Sequence, residues 1–297
     1  DRRWLAAVVA AMALAGATPA LAASPEPSPR EVSATPRGRA LVITAAGRFA
    51  RLGVRVPFAR LRVWEIAPGE FIVGPWLPDN LRTATGIRPD GRRVVQVRFD
   101  VTVGPHESNA SPPLGAHQAT TAAVAAVPTW AWLSQACFAR VGDPRVAWLD
   151  SCYLIHRLKN ESDPRDYYKL EQYGTVGAGP FGKIYDGWLS ATKGSGSGAM
   201  AWVDWSPRGD LSGSCQGIPL SVSALGVSIS ASGVMCEHWD MTKGAAAGTF
   251  RQQWNCGCIW PFGQPWPNDR EIDYMQAVSV ANGKPVVWTL SAGFTWA

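Results

Sequence analysis

Residues 218–232 read Ile-Pro-Leu-Ser-Val-Ser-Ala-Leu-Gly-Val-Ser-Ile-Ser-Ala-Ser, with serine alternating against aliphatic side chains on both sides of Leu225-Gly226. A period of two is the mark of a strand with one dry and one wet face. If Leu225-Gly226 forms a two-residue turn, Val222 meets Ile229, Leu220 meets Ala231, Ser223 meets Ser228 and Ser221 meets Ser230. Apolar then faces apolar and serine faces serine, as cross-strand neighbours on a sheet should. Leu-Gly suits a type II turn better than the primed turns that hairpins prefer, so a bulge at Gly226 in a longer strand is the alternative.

A hairpin of this kind either inserts in a membrane or decorates a water-soluble sandwich. A spanning β-strand needs roughly 9 to 11 residues, and the clean alternation offers only about half that per arm. Carried outward, the same register sets Cys215 opposite Cys236, so that a disulfide would close the base of the ribbon. The sequence therefore favours the ordinary soluble hairpin. The same reasoning brings Cys137 opposite Cys152 around a loop centred on Pro144-Arg145, although Ala139 then faces Asp150. Cys256 and Cys258 are separated by one glycine; they either close a small strained ring or pair elsewhere. Six cysteines form an even set, which points to disulfides in an oxidising compartment.

The N-terminal stretch agrees with export. Arg2-Arg3 precede an apolar run from Trp4 to Ala17 and then Pro19-Ala20-Leu21-Ala22, the layout of a secretory signal peptide over residues 1–22. That run is too short to span a bilayer as a helix, and no later one is longer. A secreted, extracellular protein with no transmembrane segment is expected.

Residues 23–39 are rich in Pro and Ser and read as a disordered spacer. Residues 40–104 carry half-buried strand patterns: Val54, Val56 and Phe58 alternate with arginine, then Ala59, Leu61 and Val63 do so in a new phase. Pro89-Asp90-Gly91 marks a turn into a strand over Val94–Val103. Residues 105–128 read as a linker, and residues 129–297 as a second unit, β throughout. Its last strand is the cleanest, with Val286, Trp288, Leu290, Ala292, Phe294 and Trp296 on one face. Asn282-Gly283 before it predicts a hairpin with residues 272–280. The fold class expected is all-β, a smaller N-terminal sandwich followed by a larger disulfide-stabilised antiparallel sandwich or barrel.

The motif Gly53-x-x-x-Pro57-x-Ala59-x-x-x-Val63, with Leu81-x-Thr83-x-Thr85 and Asp90-Gly91-Arg92, resembles the prealbumin-like (transthyretin or carboxypeptidase regulatory) β-sandwich. The resemblance covers residues 40–104 and implies a non-catalytic accessory module. Residues 129–297 bear a general resemblance to secreted actinobacterial proteins, a likeness that implies no activity.

Charge is uneven. Residues 24–115 hold 13 Arg and no Lys against 8 acidic residues, a net +5, whereas residues 116–297 hold 13 basic against 14 acidic, a net −1. A basic segment suits an anionic partner such as a cell-wall polymer or a lipid headgroup surface; no nucleic-acid partner is expected. Of the 15 Trp, 12 lie from Trp130 onward, and Trp254, Trp260 and Trp266 fall in loop-like sequence where exposed rings could stack on polysaccharide. Trp288 and Trp296 read as core. Asp204, Glu237 and Asp240 are the carboxylates that could serve as acid and base in a glycosidase. No nucleophile elbow, zinc-protease motif or phosphate loop occurs, and the four His are scattered, so neither cofactor nor metal is expected. A non-enzymatic secreted binder of an extracellular polymer is the favoured reading. A secreted polysaccharide hydrolase and an extracellular structural or toxin-like component are the alternatives.

Overall fold

A computed structural model describes residues 28–51, 54–89, 91–104, 127–141, 147–178, 184–208, 216–235, 238–244, 249–255 and 270–296. The expected signal peptide, most of the expected linker, and Cys215, Cys236, Glu237, Cys256, Cys258, Trp260 and Trp266 lie outside these residues.

The chain begins with β1 (Arg30–Glu31) and one helix, α1 (Pro36–Arg51). Four strands follow before residue 104: β2 (Arg62–Ala67), β3 (Glu70–Gly74), β4 (Asp79–Ile87) and β5 (Arg93–Val103). Next come β6 (Thr129–Val141), β7 (Ala147–Lys159), β8 (Arg165–Ala178), β9 (Ile184–Lys193) and β10 (Ala201–Ser206). The remainder is β11 (Gln216–Ala224), β12 (Val227–Met235), β13 (His238–Gly244), β14 (Thr249–Asn255), β15 (Arg270–Ala281) and β16 (Val286–Trp296). They form an eight-stranded sheet, β1-β2-β3-β6-β7-β8-β15-β10, a six-stranded sheet, β13-β14-β9-β16-β5-β4, and a separate two-stranded sheet, β11-β12. All pairings are antiparallel, and the fold is all-β and sandwich-like.

The two large sheets face each other across one core. Phe99 of β5, Leu189 of β9 and Trp288, Leu290 and Phe294 of β16 share a cluster with Phe138, Tyr153, Tyr168 and Tyr274 of the eight-stranded sheet. Trp288 is fully buried and Trp296 packs against the same cluster, as the alternation of β16 requires. A polar crosslink runs through the core: the Tyr274 hydroxyl donates to Gln172 Oε1 at 2.6 Å, and Gln172 Nε2 donates to the Ser291 carbonyl at 3.4 Å.

The structure corrects the sequence reading in three places. First, residues 28–39 are not a disordered spacer. Arg30 and Glu31 pair with β2, and α1 starts at Pro36, with the Thr35 hydroxyl accepting the Gly38 amide at 3.0 Å. Threonine at the cap and proline at the first helical position are a start signal in the sequence itself. Ala45 and Phe49 bury that helix against Val63, Phe71 and Val73, while Val54 to Phe58 run outside any strand.

Second, residues 40–104 and 129–297 share their sheets rather than closing separately. β3 pairs with β6, and β5 pairs with β16 along its whole length. An Arg93–Val103 strand with a dry face needs a partner sheet, and the C-terminal strand supplies its edge. Third, Asn282-Gly283 does not join a hairpin. β15 pairs with β8 and β10, and β16 with β5 and β9, so this turn passes the chain from one sheet to the other. The Gly283 amide donates to Asp166 Oδ2 and the Asn282 amide to the Pro164 carbonyl, bonds that direct the chain away from a ladder. Pro285 has no amide hydrogen with which to resume one.

Cys137 and Cys152 are opposite in register and disulfide-bonded. Ala139 does face Asp150, and the reason is the helix: Arg48 Nε lies 2.9 Å from Asp150 Oδ2, with both side chains buried.

Candidate functional site

The serine-rich ribbon is a hairpin of two nine-residue strands, Gln216–Ala224 and Val227–Met235. Its register is the one the alternation demands: Val222 pairs with Ile229, Leu220 with Ala231, Ser221 with Ser230 and Ser223 with Ser228. Leu225 and Gly226 both have positive φ, 50° and 79°, the signature of a type I′ turn rather than type II or a bulge. The left-handed backbone at Leu225 costs about 1–2 kcal/mol, which the twist match to the strands offsets.

One face of the ribbon is dry. Leu220, Val222 and Ala224 are buried, and Val227, Ile229 and Ala231 are half-buried. Leu220, Val222, Ile229 and Ala231 pack on Met275 and Ala277 of β15, and Ala224 and Val227 on Leu158, Tyr167 and Trp130. On the other face Ser221, Ser228, Ser230 and Ser232 are exposed, with a hydrogen bond between the Ser230 and Ser221 hydroxyls. Two side chains pin the ribbon down. Asp204 Oδ2 accepts the Ser223 amide at 2.8 Å, and Trp130 Nε1 donates to the Val227 carbonyl at 2.9 Å.

Two properties were missed on reading the sequence. The arms are nine residues long, because the pairing continues past Pro219↔Ser232 to Gln216↔Met235. Between Asp210 and Glu237 there is not one charged side chain, in a chain where 17% of residues are charged. The absent charge is the signal that could have found this element. The described register reaches Gln216↔Met235, and Cys215 and Cys236, next in line, lie outside the described residues.

Asp204, the candidate acid or base, has partners on both carboxylate oxygens. Its Oδ1 accepts the Trp205 amide and the Arg208 guanidinium, and its Oδ2 takes the Ser223 amide, so both oxygens are committed within the fold. Asp240 lies on β13 at the position opposite Gln253, and Trp254 on β14 opposite Trp239 and Gly187. Their side chains, like Glu237, Trp260, Trp266, Cys256 and Cys258, fall outside what is described. Among the described residues no helix is long and apolar enough to cross a membrane, which leaves crossing by strands untouched.

No family model and no curated protein matches the chain. Among solved structures, one described as a pore forming protein is 6% identical, covering 72% of this chain and 89% of that one, with a TM-score of 0.33. The Clostridium perfringens delta-toxin is 8% identical over 77% of this chain and 86% of its own, also with a TM-score of 0.33.

Proposed function

We propose that β11–β12 is a membrane-inserting hairpin and that the chain perforates lipid bilayers as an oligomer, a non-enzymatic, toxin-like activity. The observation that carries this reading is the ribbon itself: two nine-residue strands with no charge, one apolar face and one serine face. Nine residues at about 3.3 Å each extend roughly 30 Å, and nine meets the lower end of the roughly 9 to 11 residues that a tilted spanning strand uses. Acyl chains are as apolar as Met275 and Ala277, so moving the dry face from protein to lipid costs little.

Backbone groups set the second requirement. Neither outer edge of the two-stranded sheet pairs with another strand among the described residues. In lipid such edges are costly, so hairpins from several copies must pair edge to edge and close a barrel, with serine lining the lumen. The Cys137–Cys152 disulfide suits an oxidising, extracellular setting for this activity.

The test is dye release from phosphatidylcholine–phosphatidylglycerol vesicles, paired with planar-bilayer conductance. The full unreduced chain should release dye and leave ring-shaped oligomers. Ser230→Lys, on the exposed face, should fold, still release dye and shift conductance toward anions. Ile229→Lys, on the apolar face, should release none. Intact vesicles with the unaltered chain, or indistinguishable behaviour of the two lysine variants, would sink the reading.

A further inference from the structure

The outer face of the six-stranded sheet, turned away from the core, carries a second feature. Arg98 of β5 stands directly opposite Arg82 of β4, and both are exposed. Like charges facing each other across a strand pair are destabilising. Neither arginine makes an ion pair with another described residue. The carboxylates nearby are already engaged. Asp100 Oδ2 accepts from Asn80 and its Oδ1 from the Thr289 hydroxyl, while Asp186 Oδ2 accepts from Thr295 and lies 3.4 Å from Arg88 and 3.7 Å from Arg92. Arg82 and Arg98 thus stand as two cations with no ion-pair partner among the described residues.

Beside that pair lies a trough of about 360 Å3, lined by Arg88, Arg98, Gln96, Ser190, Thr192 and Ser291. Cross-strand pairing sets the hydroxyls in line with the guanidinium: Arg98 faces Ser291, and Ser291 faces Ser190. Gln96 Nε2 donates to Ser291 Oγ at 2.8 Å, which leaves the Ser291 hydroxyl hydrogen to donate onward. Trp188 also lines the trough and lies across Gly293, where a Cβ would fall 2.2 Å from its ring; only glycine lets the indole lie flat there.

We propose that this trough binds a phosphate ester, with Arg98 and Arg88 clamping the phosphoryl oxygens and the serine and threonine hydroxyls holding an attached polyol. Two unbalanced cations match a phosphomonoester dianion better than a single carboxylate, and guanidinium forks match its oxygens bidentately. The volume exceeds what a bare phosphate fills and falls in the range of small-molecule sites. The site is independent of the hairpin, and it gives the arginine-rich first third of the chain a specific partner.

The test uses thermal shift and titration with glycerol phosphate, and co-sedimentation with phosphatidylcholine vesicles with and without phosphatidic acid. Glycerol phosphate should raise the Tm of the full chain, and Arg98→Gln should weaken its binding about tenfold or more. Without ligand Arg98→Gln should melt no lower than the parent, because a like-charge contact is removed. Binding to glycerol phosphate alone assigns a soluble ester, and added retention on phosphatidic acid assigns a lipid headgroup. No binding in either arm overturns the proposal. So does an equal loss in Arg60→Gln, an exposed arginine away from the trough, since net charge alone would then explain the binding.

Discussion

Asp204 Oδ2 accepts the backbone amide of Ser223, a bond of 2.8 Å between β10 and the edge of the serine-rich ribbon. In a two-residue hairpin closed at Ala224↔Val227, Ser223 occupies a non-hydrogen-bonded ladder position, so its N–H points out of the ribbon. The carboxylate therefore does two things: it satisfies a donor on an open strand edge and it fastens the ribbon to the body. Pro219, on the same strand, removes another outward donor by having none.

Asp204→Ala should loosen that fastening. Loss of a charged acceptor for a partly buried amide costs about 1–3 kcal/mol. We expect faster amide exchange over residues 220–231, and faster dye release if the ribbon inserts. Asp204→Asn, which keeps a carbonyl acceptor, should fall between the two. Unchanged exchange in Asp204→Ala would show that the apolar face alone holds the ribbon.

A bridge between Cys215 and Cys236 would join the arms of the hairpin to each other and not to the body. Peptide mapping of the unreduced chain is expected to return these two residues linked, as the register sum that sets Gln216 opposite Met235 implies. Recovery of either thiol free, or joined to Cys256 or Cys258, contradicts it. The Cys137–Cys152 bridge is a separate matter. Replacing both residues by serine should lower stability by about 2–4 kcal/mol, read as a shift in the denaturant midpoint.

Arg48 and Asp150 form a buried ion pair between α1 and β7, with side-chain exposures of 7% and 1%. Breaking such a pair leaves one charge stranded, so Asp150→Ala should destabilise by about 3–5 kcal/mol. Arg48→Met combined with Asp150→Leu should recover most of that loss, because neither charge then remains to be desolvated. A double variant as unstable as the single one would show that the pair does more than neutralise itself.

These cases show what a sequence discloses. The 218–232 register was legible because two faces of different chemistry leave one alignment that matches both, and the numbers of facing residues follow by arithmetic. The Cys137↔Cys152 pairing was legible in the same way. Sheet membership was not. Asn282-Gly283 has the residues of a hairpin turn, yet it connects two sheets, because bonds to Pro164 and Asp166, more than a hundred residues away in sequence, decide where the chain goes next. The helix was missed for the opposite reason: Thr35-Pro36 is a local signal, masked by proline-rich sequence just before it. Of the site residues, Asp204 was singled out for its chemistry, whereas its bond to the ribbon depends on Ser223, a partner 19 residues away that local sequence does not reveal.

His156 gives the fold a dependence on pH. It pairs with Trp132 on one strand and Lys169 on the other, and Nδ1 is buried with no hydrogen-bond partner among the described residues. Burial, and then the Lys169 charge, push its pKa down from 6.5 to about 4. Between those values the unfolded chain takes up a proton that the folded chain refuses. Stability from this residue is therefore complete above about pH 6.5 and is lost as pH falls toward 4. His156→Gln cannot bind that proton in either state, so its Tm should fall less than the parent's between pH 7 and pH 4.5, by about 2–4 °C for each kcal/mol involved. Parallel Tm profiles for the two chains would show that His156 titrates alike whether folded or not.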